Sequence, residues 1–142
     1  MLLVNPQSLD QMSEKIRSPH SDMPPEFNRI LALLDKKDRL LVEMAMKHHL
    51  SRRQIGQVLG RTPGTITRKI RSVINRLNDP LILALADPNC CLSPDHRQIA
   101  IEHFLHRSSI AALARQRAIS RHEIRAMLDY VRGWHRGITA SR

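Results

Sequence analysis

The side chains best suited to chemistry in this chain lie on one side of a predicted helix in its middle. Ile66, Ile70, Val73 and Leu77 recur at helical spacing and are expected to form the buried side. The opposite side carries hydroxyl, amide and guanidinium groups, which bind phosphates and base edges. These groups belong to Thr67, Arg68, Arg71, Ser72 and Asn75.

A shorter predicted helix and a tight turn precede this helix. Ser51 is a preferred N-cap residue, and Gly60 stands where the first helix must stop and the chain must turn. Thr62 can cap the second helix, and Pro63 suits its first turn because the missing N–H costs nothing there. This is the pattern of a helix-turn-helix, whose second helix enters the major groove of DNA. The apolar side of the first helix is predicted to consist of Ile55, Val58 and Leu59.

The polar residues around the turn divide into two groups of predicted DNA contacts. The first helix of such a motif crosses the DNA backbone, which favours phosphate contacts by basic residues near it. The alternative for these arginines is an ordinary solvated surface on a basic protein. Residues predicted to hold the backbone are Arg52, Arg53, Arg61 and Lys69. Residues predicted to meet base edges or flanking phosphates are Thr65, Thr67, Arg68, Arg71 and Ser72.

A wider pattern runs across these helices and the helix before them. It consists of Leu50-Ser51, Ile55-Gly56, Leu59-Gly60, Gly64-Thr65-Ile66, Arg68 and Leu77, with Asp38-Arg39-Leu40-Leu41-Val42 upstream. Because of these residues, the stretch from Leu31 to Asn78 resembles region four of bacterial sigma factors. This stretch is about a third of the chain. It resembles more loosely the helix-turn-helix domains of bacterial response regulators.

The resemblance implies that the first half of the second helix reads promoter DNA. In that family this half of the helix reads the promoter's upstream element. Gly64 stands where primary sigma factors carry a charged reader, so the resemblance does not imply the same target sequence. The positions that correspond to the family's readers are Gly64, Thr65, Thr67, Arg68 and Arg71.

The composition favours a polyanionic partner. The formal net charge is +10 and the isoelectric point is about 11, so nucleic acid is expected and an anionic membrane surface is the competitor. No apolar run is long enough to span a bilayer, and no membrane partner is expected. The apolar run at the start of the chain, Met1 to Val4, is too short to be the apolar region of a signal peptide. The sequence therefore predicts a cytoplasmic protein. Aromatic residues make up only 3%, which argues against base-stacking single-strand and RNA modules.

The second half of the chain repeats the pattern of the first half at an offset of 58 residues. Ser51 falls on Ser109, and Thr62 falls on Ser120, which opens a capping box with Glu123. The repeat predicts a second helix-turn-helix at Ser109 to His135. The exposed side of its second helix offers Arg121, His122, Arg125, Asp129 and Arg132.

The second unit differs from the first in its turn and in its charge. Ala118 replaces the glycine of the turn, and Asp129 stands roughly where Arg71 stands in the first unit. An acid at this place repels phosphate, although it can accept a hydrogen bond from cytosine. We therefore expect the first unit to dominate sequence readout, and the second to add phosphate contacts or to dock a protein. The second-unit residues predicted to contact DNA are Arg121, His122 and Arg125.

The predicted fold class is all-α, with two tandem helix-turn-helix units of three or four helices each and no wing. The predicted organisation is an N-terminal arm at 1–23, a first unit at 24–80, a connecting segment at 81–92 and a second unit at 93–142. Leu81 to Ala86 is expected to form a short helix, with a buried strand as the alternative.

No enzymatic activity, cofactor or metal is predicted. The chain has no Gly-rich phosphate loop, no H-E-x-x-H motif and no nucleophile elbow. Cys90 and Cys91 are adjacent, and such a pair seldom bridges or ligates one zinc, so both are expected to be buried or half-buried thiols. The histidines near them are His96, His103 and His106. The aromatic residues expected to anchor the core are Tyr130 and Trp134.

These observations predict sequence-specific binding of double-stranded DNA by a transcriptional regulator of bacterial or phage type. One alternative is a protein-interaction module that binds RNA polymerase or a second regulator. Another is the DNA-recognition component of a recombination or packaging machine. A homodimer is left open.

Overall fold

The computed structural model describes residues 25–141, and every regular element within this range is helical. The all-α prediction is confirmed, whereas the predicted N-terminal arm at 1–23 lies outside the described residues. No helix in the described range is both long enough and apolar enough to cross a membrane. The helices are α1 (Pro25–Leu33), α2 (Lys36–Met46), α3 (Arg52–Leu59), α4 (Pro63–Leu77), α5 (Pro80–Ala86), α6 (Pro94–Ala100) with a π-helical continuation (Ile101–Leu105), α7 (Ile110–Arg117) and α8 (Arg121–Ala140).

The described residues divide into two compact units, with the boundary between Asn78 and Asp79. In the first unit α3 packs against α4, and α2 contacts both. In the second unit α6 and α7 pack against α8, and α5 contacts α8 and the π-helical continuation of α6. The segment at 81–92 therefore begins in a helix, as predicted, and that helix groups with the second unit.

Side-chain caps fix where the two helices of the first motif begin. The Ser51 hydroxyl accepts a hydrogen bond from the Gln54 backbone N–H at 3.1 Å, and the Gln54 side chain accepts one from the Ser51 N–H at 2.8 Å. This reciprocal pair satisfies two donors that the helix leaves unpaired. Thr62 accepts from the Thr65 N–H at 3.3 Å and caps α4 in the same way. The predicted helix starts are confirmed.

The offset of 58 residues holds for the backbone of the two units. The bounds of α3 fall on the bounds of α7, and the start of α4 falls on the start of α8. The left-handed residues repeat as well: His49 (φ 52°) and Gly60 (φ 66°) correspond to Arg107 (φ 60°) and Ala118 (φ 54°). The predicted repeat of the helix-turn-helix geometry is therefore confirmed within each unit.

The buried side chains follow the same offset. Ile55 and Leu113 have no exposed surface, and neither have Ile66 and Ile124. Burying such residues from water is the main source of stability for small helical units. In the second unit the core cluster consists of Ile99, Leu113, Ala114, Ile124 and Leu128, with Phe104, Ile110, Ile119 and Met127 packed against it.

The expectation that Val58 and Leu59 belong to the buried stripe of α3 is wrong. Val58 is 62% exposed and Leu59 38%, and Leu40 on α2 is 47% exposed. The repeat accounts for the exposure of Leu40 and Val58, because their counterparts in the second unit are polar and also exposed. Gln98 stands at the place of Leu40, and Gln116 at the place of Val58. These are solvent-facing positions that happen to hold apolar residues in the first unit.

The expectations that Tyr130 and Cys91 are buried or half-buried are also wrong. Tyr130 is 61% exposed, because it lies on the side of α8 away from Ile124 and Leu128. Trp134 is half-buried, so it contributes to the core in part. Cys91 is exposed, whereas Cys90 is half-buried as expected.

Candidate nucleic-acid interface

The turn between α3 and α4 depends on two glycines. Gly60 ends α3 in the left-handed conformation, which a residue without a Cβ adopts without strain. Gly56 lies one turn earlier, and its carbonyl accepts the Arg61 N–H at 2.8 Å. A Cβ at Gly56 would collide with the carbonyl oxygen of Arg61. The close approach at Gly56 therefore fixes how α4 leaves the turn.

One side of α4 is buried and the opposite side faces solvent. An α-helix turns by about 100° per residue, so the positions opposite Ile66 and Ile70 fall at 64, 68, 71, 72 and 75. The residues there are exposed, except that Ser72 is half-buried. We call this surface the reading face; it consists of Gly64, Arg68, Arg71, Ser72 and Asn75.

The threonines predicted to contact DNA serve first to hold the start of α4. The Thr67 hydroxyl donates to the Pro63 carbonyl at 3.0 Å, and Thr67 is half-buried at the edge of the reading face. The Thr65 hydroxyl lies 2.9 Å from that of Thr62 and accepts from Nη2 of Arg68 at 3.4 Å. Thr65 therefore helps to orient Arg68, while Thr67 turns away from the centre of the face.

The predicted backbone contacts surround the reading face. Arg53 at the start of α3 and Arg61 in the turn are exposed, and Arg52 is half-buried. Lys69 is exposed on the edge of α4 opposite the Thr67 edge. These side chains share one sign of charge, which concentrates a positive potential around α3 and α4.

The helices α3 and α4 themselves carry no acidic side chain. Residues 51–78 hold seven Lys and Arg and no Asp or Glu. Within residues 28–78 the carboxylates belong to Asp35, Asp38 and Glu43, which lie on α2 or at its cap. The reading face therefore meets no carboxylate of its own helix or of α3.

One ion pair in the first unit could not be foreseen from local sequence. Nη2 of Arg76 lies 3.1 Å from Oδ2 of Asp38, and the two side chains are 15% and 24% exposed. The pair joins α2 to the last turn of α4 across 38 residues of chain. A partly buried pair of this kind helps to fix the orientation of α4. No spacing rule within one helix would have found it.

The second unit presents a different surface at the same positions. The predicted contacts Arg121, His122 and Arg125 are all exposed, near the start of α8. At the offset of 58 residues, Ala126 takes the place of Arg68 and Asp129 takes the place of Arg71. Asp129 accepts a hydrogen bond from Arg132 at 3.2 Å. The outward side of α8 therefore has basic residues near its start, but none at the two positions that correspond to Arg68 and Arg71.

The cysteines and histidines of the second unit do not assemble a metal site in the described part of the chain. No three His, Cys, Asp or Glu side chains of residues 25–141 lie close enough to hold an ion together. The imidazole of His96 contacts the ring of Tyr130 in a tilted arrangement with ring centres 4.8 Å apart, and Nδ1 of His103 lies 2.9 Å from the Ser108 carbonyl oxygen. These contacts give both histidines a structural role.

Comparison of the chain with protein-family models, curated proteins and solved structures finds no match. The description of the interface depends on the geometry and charge of residues 51–78. The reading face, its basic surround and its tight turn are the features that bear on function.

Proposed function

We propose that the protein is a sequence-specific double-stranded DNA-binding regulator of transcription, of bacterial or phage type. In this proposal α4 enters the major groove and α3 crosses the backbone, as in helix-turn-helix proteins and in the sigma region four that the sequence resembles. Its role is binding rather than catalysis, in the cytoplasm.

The observation that carries the proposal is the acid-free basic surface around the reading face. Residues 51–78 hold seven Lys and Arg on a capped helix pair with a glycine turn, and all of them except Arg76, which pairs with Asp38, belong to this surface. A protein that neutralises phosphates gains affinity by releasing counterions, so such a surface favours DNA over a neutral partner.

Base readout is assigned to the centre of the reading face. The Arg68 guanidinium can donate two hydrogen bonds to O6 and N7 of guanine, and the amide of Asn75 suits adenine. Arg71 and Ser72 lie between them and can reach bases or flanking phosphates. Gly64 has open space around its Cα, with no heavy atom within 4 Å of a built Cβ. That space permits a close approach of DNA at the start of α4.

A second candidate function is a protein-interaction module that binds RNA polymerase or another regulator. The observation that favours it is confined to the second unit, where Glu123 and Asp129 are exposed on α8. Acids at these positions repel phosphate but suit a basic protein surface.

The experiment that separates the two functions starts from the full chain. Bound duplexes are selected from a random DNA pool at fixed salt, and RNA polymerase is captured in parallel. A recurring motif in the selected pool supports the regulator. Capture of polymerase without any DNA motif supports the interaction module and contradicts the proposal.

A further inference from the structure

The outward side of α8 carries a strip of exposed residues without charge. Its positions are spaced three or four apart, so they line one side of the helix at about 100° per residue. Tyr130 is its largest member and is 61% exposed, although one side of its ring contacts His96 of α6, with ring centres 4.8 Å apart. We call it the uncharged strip; it consists of Ala126, Tyr130, Gly133 and Gly137.

The strip takes the place of the DNA-reading residues of the first unit. At the offset of 58 residues, Arg68 corresponds to Ala126 and Asn75 corresponds to Gly133. The strip holds small side chains where α4 holds a guanidinium and an amide, so it lacks the groups that pair with guanine and adenine edges. A surface of this kind suits contact with protein.

Within residues 25–141, no contact requires the two glycines of the strip. A Cβ built at Gly133 or Gly137 would meet no heavy atom within 4 Å, and both residues lie inside a 20-residue helix. Glycine is among the poorest helix formers, so two of them weaken α8 without any internal packing benefit. What they provide is a shallow surface that another backbone can approach closely.

Charges along one edge of the strip select the occupant. Asp129 and Arg136 are seven residues apart, two turns along the same edge of α8, and both are exposed. When two copies of a helix pack antiparallel about a two-fold axis, each edge of one helix lies beside the same edge of the other helix. The residues along the two edges then run in opposite directions. Asp129 of each copy then lies beside Arg136 of the other. A parallel pair would instead set this edge against the opposite edge, which carries Glu123.

From this self-complementary pattern we propose that α8 is the dimer interface of the protein, with a second copy of the chain packed antiparallel across Gly133. The register that pairs Asp129 with Arg136 also brings Tyr130 next to Gly137 of the second copy. The missing side chain there leaves room for the ring. A two-fold contact repeats each of these interactions, as an isologous interface requires.

The proposal does not rest on the proposed function, because it concerns only α8 and is tested without DNA. Its consequence for DNA binding is nevertheless direct. A two-fold dimer carries two copies of α4, and helix-turn-helix dimers bind sites with matching two-fold symmetry.

The first test replaces both glycines with leucine in the full chain and measures mass by analytical ultracentrifugation. Leucine is a better helix former than glycine, so Gly133→Leu with Gly137→Leu should keep or raise the helical circular-dichroism signal. We expect the wild type to be a dimer at a protein concentration of about 100 μM, where even a weakly associating dimer is populated. The double variant should be a monomer at the same concentration. Gln116→Leu, at an exposed position of α7, adds the same apolar bulk outside the strip and should remain a dimer.

The second test exchanges the charges. Asp129→Arg and Arg136→Asp should each raise the dissociation constant of the dimer about tenfold, and the two together should restore it. Restoration is expected if the residues face each other across the interface. Circular dichroism of the same variants measures any change of helix stability from the Asp129–Arg132 pair, so that the two effects are separated. A monomeric wild type, a dimeric double-leucine variant or a charge exchange without restoration would each overturn the proposal.

Discussion

The two units place different chemistry on helices of the same geometry. On α4 the centre of the outward side holds Arg68 and Asn75, whereas on α8 the same positions hold Ala126 and Gly133. The caps, the left-handed residues and the buried positions correspond at the offset of 58 residues. A helix-turn-helix backbone therefore does not by itself determine a partner. We propose that the side chains on one face of the second helix do so.

The units also differ in how they secure the helix pair. In the first unit Asp38 of α2 pairs with Arg76 of α4, and in the second Glu102 pairs with Arg117 at the end of α7, at 3.2 Å. The second pair uses the position that corresponds to Leu59, which is exposed on α3. Each unit thus stabilises its helix arrangement locally with a different ion pair.

The largest effect should come from charging the shared core position. Ile66→Asp and Ile124→Asp each place a carboxylate where no solvent reaches, at a cost on the order of 4 kcal/mol or more. Each variant should unfold the unit that contains it, as measured by thermal circular dichroism of the full chain.

The matched controls for the core position are Gln57→Asp and Arg115→Asp. These positions are exposed and also correspond at the offset of 58 residues. Both should melt within about 0.5 kcal/mol of the wild type. If Ile124→Asp melted like its control, the second unit would not share the core of the first.

A smaller effect is expected at the reading face. Arg68→Ala and Arg71→Ala should each weaken binding to the selected duplex by about 1–3 kcal/mol, because each loses a hydrogen-bonding guanidinium. Fluorescence anisotropy at fixed salt measures this loss, and circular dichroism should show both variants folded. Arg121→Ala combined with Arg125→Ala, on α8, should leave base preference nearly intact. Unchanged affinity in both α4 variants would remove Arg68 and Arg71 from the interface.

The turn residues give a pair of effects of opposite sign. Gly60→Ala should destabilise the first unit by about 1 kcal/mol, and Ala118→Gly should stabilise the second by a similar amount. Both residues have positive φ, where a Cβ is strained and its removal relieves strain. Ala112→Gly, inside α7, should instead destabilise by about 1 kcal/mol. Urea titrations of the three variants measure these changes in the free energy of unfolding. A destabilised Ala118→Gly variant would contradict the prediction that Ala118 is strained.

The smallest effect concerns the salt dependence of binding. Arg52→Ala and Arg53→Ala should each lower the slope of log affinity against log salt by about 0.9 if each side chain contacts one phosphate. Base preference should stay unchanged. Titrations at four salt concentrations measure the slope, and an unaltered slope would show that these side chains are solvated surface.

Helix starts and the repeat could be predicted from the sequence because their causes are local. Ser51, Thr62, Ser109 and Ser120 are capping residues, and each does cap the helix that follows it. Local chemistry of this kind survives without knowledge of the fold.

The remaining features depend on contacts that no window of sequence contains. The pairing of Arg76 with Asp38, which are 38 residues apart, depends on how α2 and α4 pack together. Val58 and Tyr130 are exposed because they lie on the sides of α3 and α8 that no other described helix covers, although their apolar character suggested a core.

We propose that the first unit reads DNA sequence and that the second does not. This difference is tested most directly by selecting duplexes from one random pool with three full-length proteins. These are the wild type, the variant with Arg68→Ala and Arg71→Ala, and the variant with Arg121→Ala and Arg125→Ala. The account predicts that the wild-type motif disappears with the first variant and persists with the second. A motif that persists without Arg68 and Arg71 but disappears without Arg121 and Arg125 would contradict it.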